Sequence, residues 1–307
     1  TKSLRDFPEV DIWQKEFGLK NISELNLSSL QKTKEQRILN NIFHYPMRIH
    51  LKGRSIPGVA IQHHMAHAAS AFFSSSKDRA AVITHDGGFY KRGPLNGMIF
   101  FGNSNKISPL FPHHLAIGDL YDNVGAFLGF DLDGAAGKLM GLAPYGRPIF
   151  FDRAMVGNIY DWIVNGIKNP SNDWINHCIN IAKLKNYDLS PIGNTDRILE
   201  SICVDIAAST QKVFEETILY ATECAAKMLL KSGIQTENLC FAGGTSLNCP
   251  ANSRLVNEGP FDNIFIPPNC DDSGLPLGAA QYVYHHILEN PRLKISQSSL
   301  RLLPYLG

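Results

Sequence analysis

Three histidines fall within five positions in the stretch HHMAH, residues 63–67, out of eleven in a chain of 307 residues. Positions i and i+4 share one face of a helix, so His63 and His67 can reach a single ion. His64 points about 100° away and reads as a packing residue or a neighbour of the ligands. Taken alone, H-x-x-x-H fits an ordinary amphipathic helix equally well, and it is not the zinc-protease pattern, which needs glutamate after the first histidine. Carboxylates elsewhere strengthen the metal reading. Asp86 ends the apolar run AAVITHD and is followed by Gly87 and Gly88. Strand ends in α/β sheets face the ligand crevice, and glycines let the backbone come close to a ligand. The stretch NIFIPPNCDDSG places Asp271 and Asp272 after another strand. Two imidazoles with one or two carboxylates suit a divalent metal such as Fe(II) or zinc. The same carboxylates also suit capping, Asp86 of a turn and Asp271 or Asp272 of a helix starting near Gly274.

Two glycine-rich stretches have the character of anion or nucleotide turns. In FAGGTSLNCPANS an apolar strand meets Gly243 and Gly244, after which Thr245 or Ser246 can cap a helix. Backbone N–H groups and a helix N-terminus then face an anion or nucleoside, although a tight strand–helix turn would look the same. It is neither a Walker A loop nor G-x-G-x-x-G. In GKLMGLAPYG, Gly137, Gly141 and Gly146 flank Lys138, a point charge suited to a phosphate. The pairs His113-His114 and His285-His286 read as surface or helix residues.

The elements that must position these groups follow from periodicity. Residues 1–50 are polar and helix-leaning, and 59–61 read as a short buried strand leading into a helix over HHMAHAASAFFSS. RAAVITHDGG reads as a strand entering a turn, NGMIFFGN as a hairpin strand, and LAIGDLYDNVGAFLGF and GAAGKLMGLAPYG as helices. Residues 147–200 are less regular and read as an insertion between lobes. From Ser201 a long amphipathic helix runs to Lys231, with Gly233 as its C′ residue. NLCFAGG, SLNCPANSRLVNEG, NIFIPP and GLPLGAAQYVYHHILEN then alternate strand, helix, strand, helix, which implies parallel pairing with helices packed on the sheet. The expected class is α/β, in two lobes around a cleft: a helical segment 1–50, a metal-binding lobe 51–200 and a nucleotide-binding lobe 201–307.

Composition narrows the partners. Hydrophobic residues make up 44% and charged residues 19%, ordinary for a globular chain, and the formal net charge is +1 with no basic block or acidic tail. Nucleic acid and anionic membrane surfaces are therefore not expected as main partners. No apolar run approaches a membrane span, and no signal peptide opens the chain. Six scattered cysteines without a C-x-x-C pair point to a reduced, cytoplasmic protein. Both ends read as cut from a longer protein.

In order along the chain, HHMAHAASAFFSS, THDGG, GKLMGLAPYG, IAASTQKVFEE, FAGGTSLN and DDSGLPLGAA closely resemble blocks of the NodU/CmcH-type O-carbamoyltransferases, from about Ile61 to Ala280. The resemblance implies an actin-like ATPase fold, related to the tRNA threonylcarbamoyl transferases. It also implies transfer of a carbamoyl group from carbamoyl adenylate, made from carbamoyl phosphate and ATP, to a hydroxyl of a sugar or natural product. Carried over, it assigns the metal to His63, His67, Asp86 and Asp272 (with Asp271 as the rival), Fe(II) ahead of zinc. It assigns the nucleotide or carbamoyl adenylate to Gly87, Gly88, Gly137, Lys138, Gly243, Gly244 and Asn248. A metal there would polarise the carbamoyl carbonyl. The residue that takes the acceptor's proton is not legible, His64 being only a neighbour of the right type. The family's first strand and phosphate turn, and its C-terminal adenylate-forming domain, have no counterpart in the chain, and Ala136 replaces a residue that is usually acidic. Two alternatives follow: a truncated module that holds metal and nucleotide without turnover, or a threonylcarbamoyl transferase relative, against which Asp86 argues because serine is usual there. A sugar kinase of the same fold would have no use for the histidine pair.

Overall fold

The computed structural model describes residues 43–87, 96–159 and 170–292. A hairpin comes first, β1 (His44–Leu51) paired antiparallel with β2 (Arg54–Ile61). Its two-residue turn uses positive φ at Lys52 (49°) and Gly53 (73°), the twist that suits tight hairpins. The helix-leaning segment 1–50 is thus corrected at its end, where 44–50 form strand; the rest of it lies outside the described residues.

Helix α1 (His63–Ser74) follows, then strands β3 (Arg79–His85), β4 (Gly97–Asn103) and β5 (Lys106–His113). Next come α2 (Ile117–Phe127), α3 (Ala135–Leu142), α4 (Ser171–Leu184) and the 31-residue α5 (Ser201–Lys231). Strand β6 (Asn238–Ala242), helix α6 (Cys249–Glu258), strand β7 (Asn263–Phe265) and helix α7 (Leu275–Gln281) complete the order. The last helix continues as a π-helical turn, Tyr282–Ile287.

Five strands form one mixed sheet in the order β5-β4-β3-β6-β7. The expected parallel pairing holds for β6 with β7, β3 also runs parallel to β6, and β4 and β5 are antiparallel additions. Strands from both sides of residue 200 thus share this sheet. Strand β5 escapes a sequence reading because Pro109 and Pro112 interrupt it; an edge strand tolerates them, since one side needs no ladder N–H.

Helices cover both faces. Along β3, Ala80 and Val82 face the cluster containing Met65, Phe72 and Phe100, while Ala81 and Ile83 face the larger core built on α2 and α5. Such two-sided burial is the reason β3 and β6 read as continuous apolar runs rather than alternating ones. Each fully buried large side chain, Phe72, Phe100 and Phe241 among them, contributes about 1.5–3 kcal/mol. Stretch 147–200, expected to be irregular, contains α4, whose Trp174, Cys178 and Ala182 are buried. Trp174 donates its indole N–H to Thr210 Oγ1 on α5 at 2.9 Å, so a tertiary anchor holds a helix of weak local signal. Gly233, at φ 71°, ends α5 as expected.

Candidate functional site

Three separate segments converge at the carboxyl ends of β3 and β6. Gln62 caps α1, its side-chain oxygen accepting from Met65 N at 2.8 Å, which starts the helix so that His63 and His67 point the same way. At the other end of α1, the half-buried Arg292 guanidinium donates to the carbonyls of Phe72 (2.9 Å) and Lys77 (2.6 Å) and lies 4.5 Å from the centre of the Phe72 ring. A cation over the last carbonyls complements the helix dipole.

The side chains of His63, His67, Asp86 and Asp272 offer ligand atoms that all lie within 4.8 Å of one another. His63 Nε2 is 2.7 Å from Asp86 Oδ2 and 3.6 Å from Asp272 Oδ1; His67 Nε2 is 3.4 Å and 3.2 Å from the same two oxygens. Ligands about 2.1 Å from one ion are about 3.0–3.4 Å apart at octahedral or tetrahedral angles, close to this set. His67 is fully buried, yet neither ring nitrogen makes a hydrogen bond among the described residues; its Nε2 lies near two carboxylates without donor geometry toward either. That arrangement suits a lone pair aimed at a common centre. Two carboxylates with two neutral imidazoles also carry the charge that balances a divalent cation. The residues present therefore fit a metal.

Asp86 is held by the glycine turn. Its Oδ1 accepts from Gly244 N at 2.7 Å and from Gly87 N at 3.0 Å. Burial would raise this carboxyl, but the hydrogen bond with His63, the adjacent His67 imidazole and the Gly244 N–H hold it well below the usual carboxylate range. The turn itself is forced. Gly243 has φ 102°, and a Cβ there would lie 2.2 Å from His85 O. Thr245 Oγ1 donates to the same carbonyl, and Gly243 N donates to Cys270 O at 2.7 Å, tying the turn to the loop that carries Asp272. Asp271 and Asp272 differ in what they touch: Asp271 accepts from Ser273 N at 3.1 Å, while Asp272 Oδ1 lies 3.2 Å from His67 Nε2.

A cavity of about 320 Å³ opens beside this cluster, with Asp86 in its wall. Of the residues expected at a nucleotide, Gly87, Gly137, Gly244 and Asn248 line it. Gly243 is buried behind the lining, and Gly88 lies outside the described residues. Lys138 stands on the exposed side of α3, its ammonium 5.6 Å from the Phe130 ring centre rather than in the lining. The sequence reading missed Tyr121, Asp122, Met140 and Phe214 in the same wall. These come from the core-facing side of helices, where local pattern reports only burial. Burial, then the charge of Asp86, pushes the Asp122 carboxyl up to about 6. Tyr121 donates to Gln211 Oε1 at 2.5 Å, and Gln211 and Asn248 exchange two amide hydrogen bonds of 2.9 and 3.0 Å. Asn248 also caps α6 by accepting from Ala251 N, so its amide has one orientation.

The other histidines divide differently from expectation. His113 is fully buried, not a surface residue, because Gly97 opposite it has no Cβ; one built there would lie 2.4 Å from the ring. His85, also buried, donates to Leu115 O at 2.6 Å, and burial holds it neutral with a pKa lowered to about 4. His64 is buried with Nδ1 3.3 Å from Thr84 Oγ1, turned from the cavity.

Residues 11–281 match a protein family described as "Carbamoyltransferase N-terminus". An uncharacterized protein of Synechocystis sp., sll1178, is 38% identical over 76% of this chain and 37% of its own length. Nodulation protein NolO of Bradyrhizobium diazoefficiens is 31% identical over 73% of this chain and 38% of its own. Nodulation protein U of Azorhizobium caulinodans is 25% identical over 89% and 49%. The chain thus spans less than half the length of these curated relatives. Full-length HypF, in its phosphate- and nucleotide-bound form, aligns over 75% of this chain and 43% of its own at 17% identity, but with a TM-score of 0.40 the likeness carries no argument.

Proposed function

The chain belongs to the carbamoyltransferase family, through the family's N-terminal domain, and from that premise we propose that it transfers a carbamoyl group to a hydroxyl of a small-molecule acceptor. The donor in this reading is carbamoyl adenylate, made from carbamoyl phosphate and ATP. The observation that supports it is the double membership of Asp86, which stands both in the cluster with His63, His67 and Asp272 and in the wall of the glycine-lined cavity.

In this reading the four side chains hold a divalent metal, Fe(II) or zinc, which when bound supplies Lewis acidity toward the carbamoyl carbonyl. Gly87, Gly137 and Gly244 leave room for the nucleotide backbone, Met140 and Phe214 offer an apolar surface to the base, and Asn248 offers a fixed amide. Lys138, exposed on α3 and outside the lining but next in sequence to the lining residue Gly137, is in this reading the cation that turns to the phosphate. The acceptor oxygen attacks the carbamoyl carbon, the bond to the adenylate phosphate oxygen breaks, and AMP leaves. Tyr121, pushed up by burial, keeps its proton, whereas Asp122 titrates close to neutral pH and is suited to receive the hydroxyl proton.

An actin-like fold goes with this function; helices on both faces of the mixed sheet are consistent with it. So is a cytoplasmic setting, since all six cysteines are free. Among the described residues no helix is long and apolar enough to cross a membrane.

The test is elemental mass spectrometry of the purified chain after anaerobic Fe(II) or zinc loading, followed by AMP release from carbamoyl adenylate with and without sugar acceptors. About one metal per chain and acceptor-dependent AMP release are expected. A metal-free chain would overturn the metal assignment, and acceptor-independent hydrolysis would overturn the transfer.

A further inference from the structure

We infer that Gly278 is a positioning residue for the four-residue cluster, setting how near Asp272 comes to His63 and His67. The inference rests on the metal reading of that cluster. Asp272 opens a 3₁₀ turn, Asp272–Gly274, that runs directly into α7, so carboxylate and helix move as one piece. Helix α7 lies against α1, and the contact is made at Gly278. A Cβ at this position would fall 1.9 Å from Ala66 O and 2.9 Å from Ser70 N. Both are backbone atoms of the helix that carries the imidazoles, and Ala66 immediately precedes His67, so no side-chain rotation relieves the overlap. Any residue other than glycine therefore separates the two helices by about 1 Å or more, because close-packed interiors transmit such strain rather than absorb it. Metal ligands tolerate about 0.2 Å. Asp272 Oδ1, now 3.2 Å from His67 Nε2 and 3.6 Å from His63 Nε2, would be carried out of reach.

Zinc titration and a crystal structure of Gly278→Ala decide it. The expected result is a zinc Kd raised about 10–100-fold, with a longer Asp272–His67 distance. Lengthening the carboxylate should then act with opposite signs: Asp272→Glu weakens zinc binding in the otherwise native chain but restores part of it in Gly278→Ala. A purely structural glycine would lower the melting temperature without that reversal. An unchanged Kd and unchanged distances in folded Gly278→Ala would overturn the inference. If that variant does not fold, Asp272→Glu alone decides, because zinc binding equal to the native chain would mean the gap is not fixed. Absence of zinc binding in the native chain would defeat the metal reading instead, and the crystallographic distances in Gly278→Ala would still test the spacing.

Discussion

At the scale of single residues, His67 is the most informative side chain. Its imidazole is buried with no hydrogen bond among the described residues, an arrangement that costs about 1–3 kcal/mol when nothing compensates it. A cation bound there would compensate it. His63→Ala with His67→Ala is therefore expected to abolish metal binding while shifting the metal-free melting temperature by only a few degrees, checked by elemental analysis beside thermal melts. Asp122 makes a second prediction, about pH. Its folded pKa, about 6, lies above the ordinary 3.8. A carboxyl raised in this way disfavours the folded state as pH climbs from about 4 to 6 and changes nothing further above that. Asp122→Asn should match the native stability near pH 4, exceed it increasingly up to about pH 6, and keep a constant margin above that. Denaturant titrations of the metal-free chain at pH 4, 5, 6 and 7.5 would show a constant difference if the assignment is wrong.

At the scale of elements, α5 acts as the post to which weaker segments are fastened. Asp205 accepts from Arg147 N at 2.8 Å and from the Tyr187 hydroxyl at 2.7 Å, Ser209 accepts from Phe150 N at 3.0 Å, and Thr210 accepts from the Trp174 indole. All these partners lie in the stretch that reads as irregular, so its order comes from tertiary bonds. Thr210→Val keeps the volume and strands the indole N–H. A loss of about 1–3 kcal/mol is expected, with protection from hydrogen exchange falling first in α4. Equal protection across α4 and α5 in the variant would mean that α4 does not depend on this bond.

At the scale of the molecule, the first and last of the four candidate ligands, His63 and Asp272, stand 209 positions apart in sequence. They arrive on a helix, a strand end and a turn that the sheet brings together. A cation held among them would link these pieces only in the folded chain. Its binding free energy then adds to stability, by about 2.7 kcal/mol when the free metal exceeds Kd a hundredfold. Chelation should lower the native melting temperature and leave that of the His63/His67 double variant untouched. An equal drop in both would place the stabilising ion elsewhere.

The i, i+4 histidines, the strand ending at Asp86 and the alternation after residue 234 were legible because each is a local pattern of period or spacing. Lines of the cavity wall such as Asp122, Met140 and Phe214 were not, because in a helix that faces the core, sequence marks burial and not which void a side chain borders. Strand β5 was hidden by its prolines, acceptable only once the strand is known to be an edge. The different contacts of Asp271 and Asp272 likewise needed the fold, since adjacent carboxylates look alike in sequence until one is seen to cap its own turn. What the sequence determined by itself was therefore which chemical groups exist and which local elements carry them. Only the tertiary structure decided that Asp86 is gripped by the Gly243-Gly244 turn and that Gly278 sets two helices at contact, because both depend on backbone atoms from segments more than 150 residues apart.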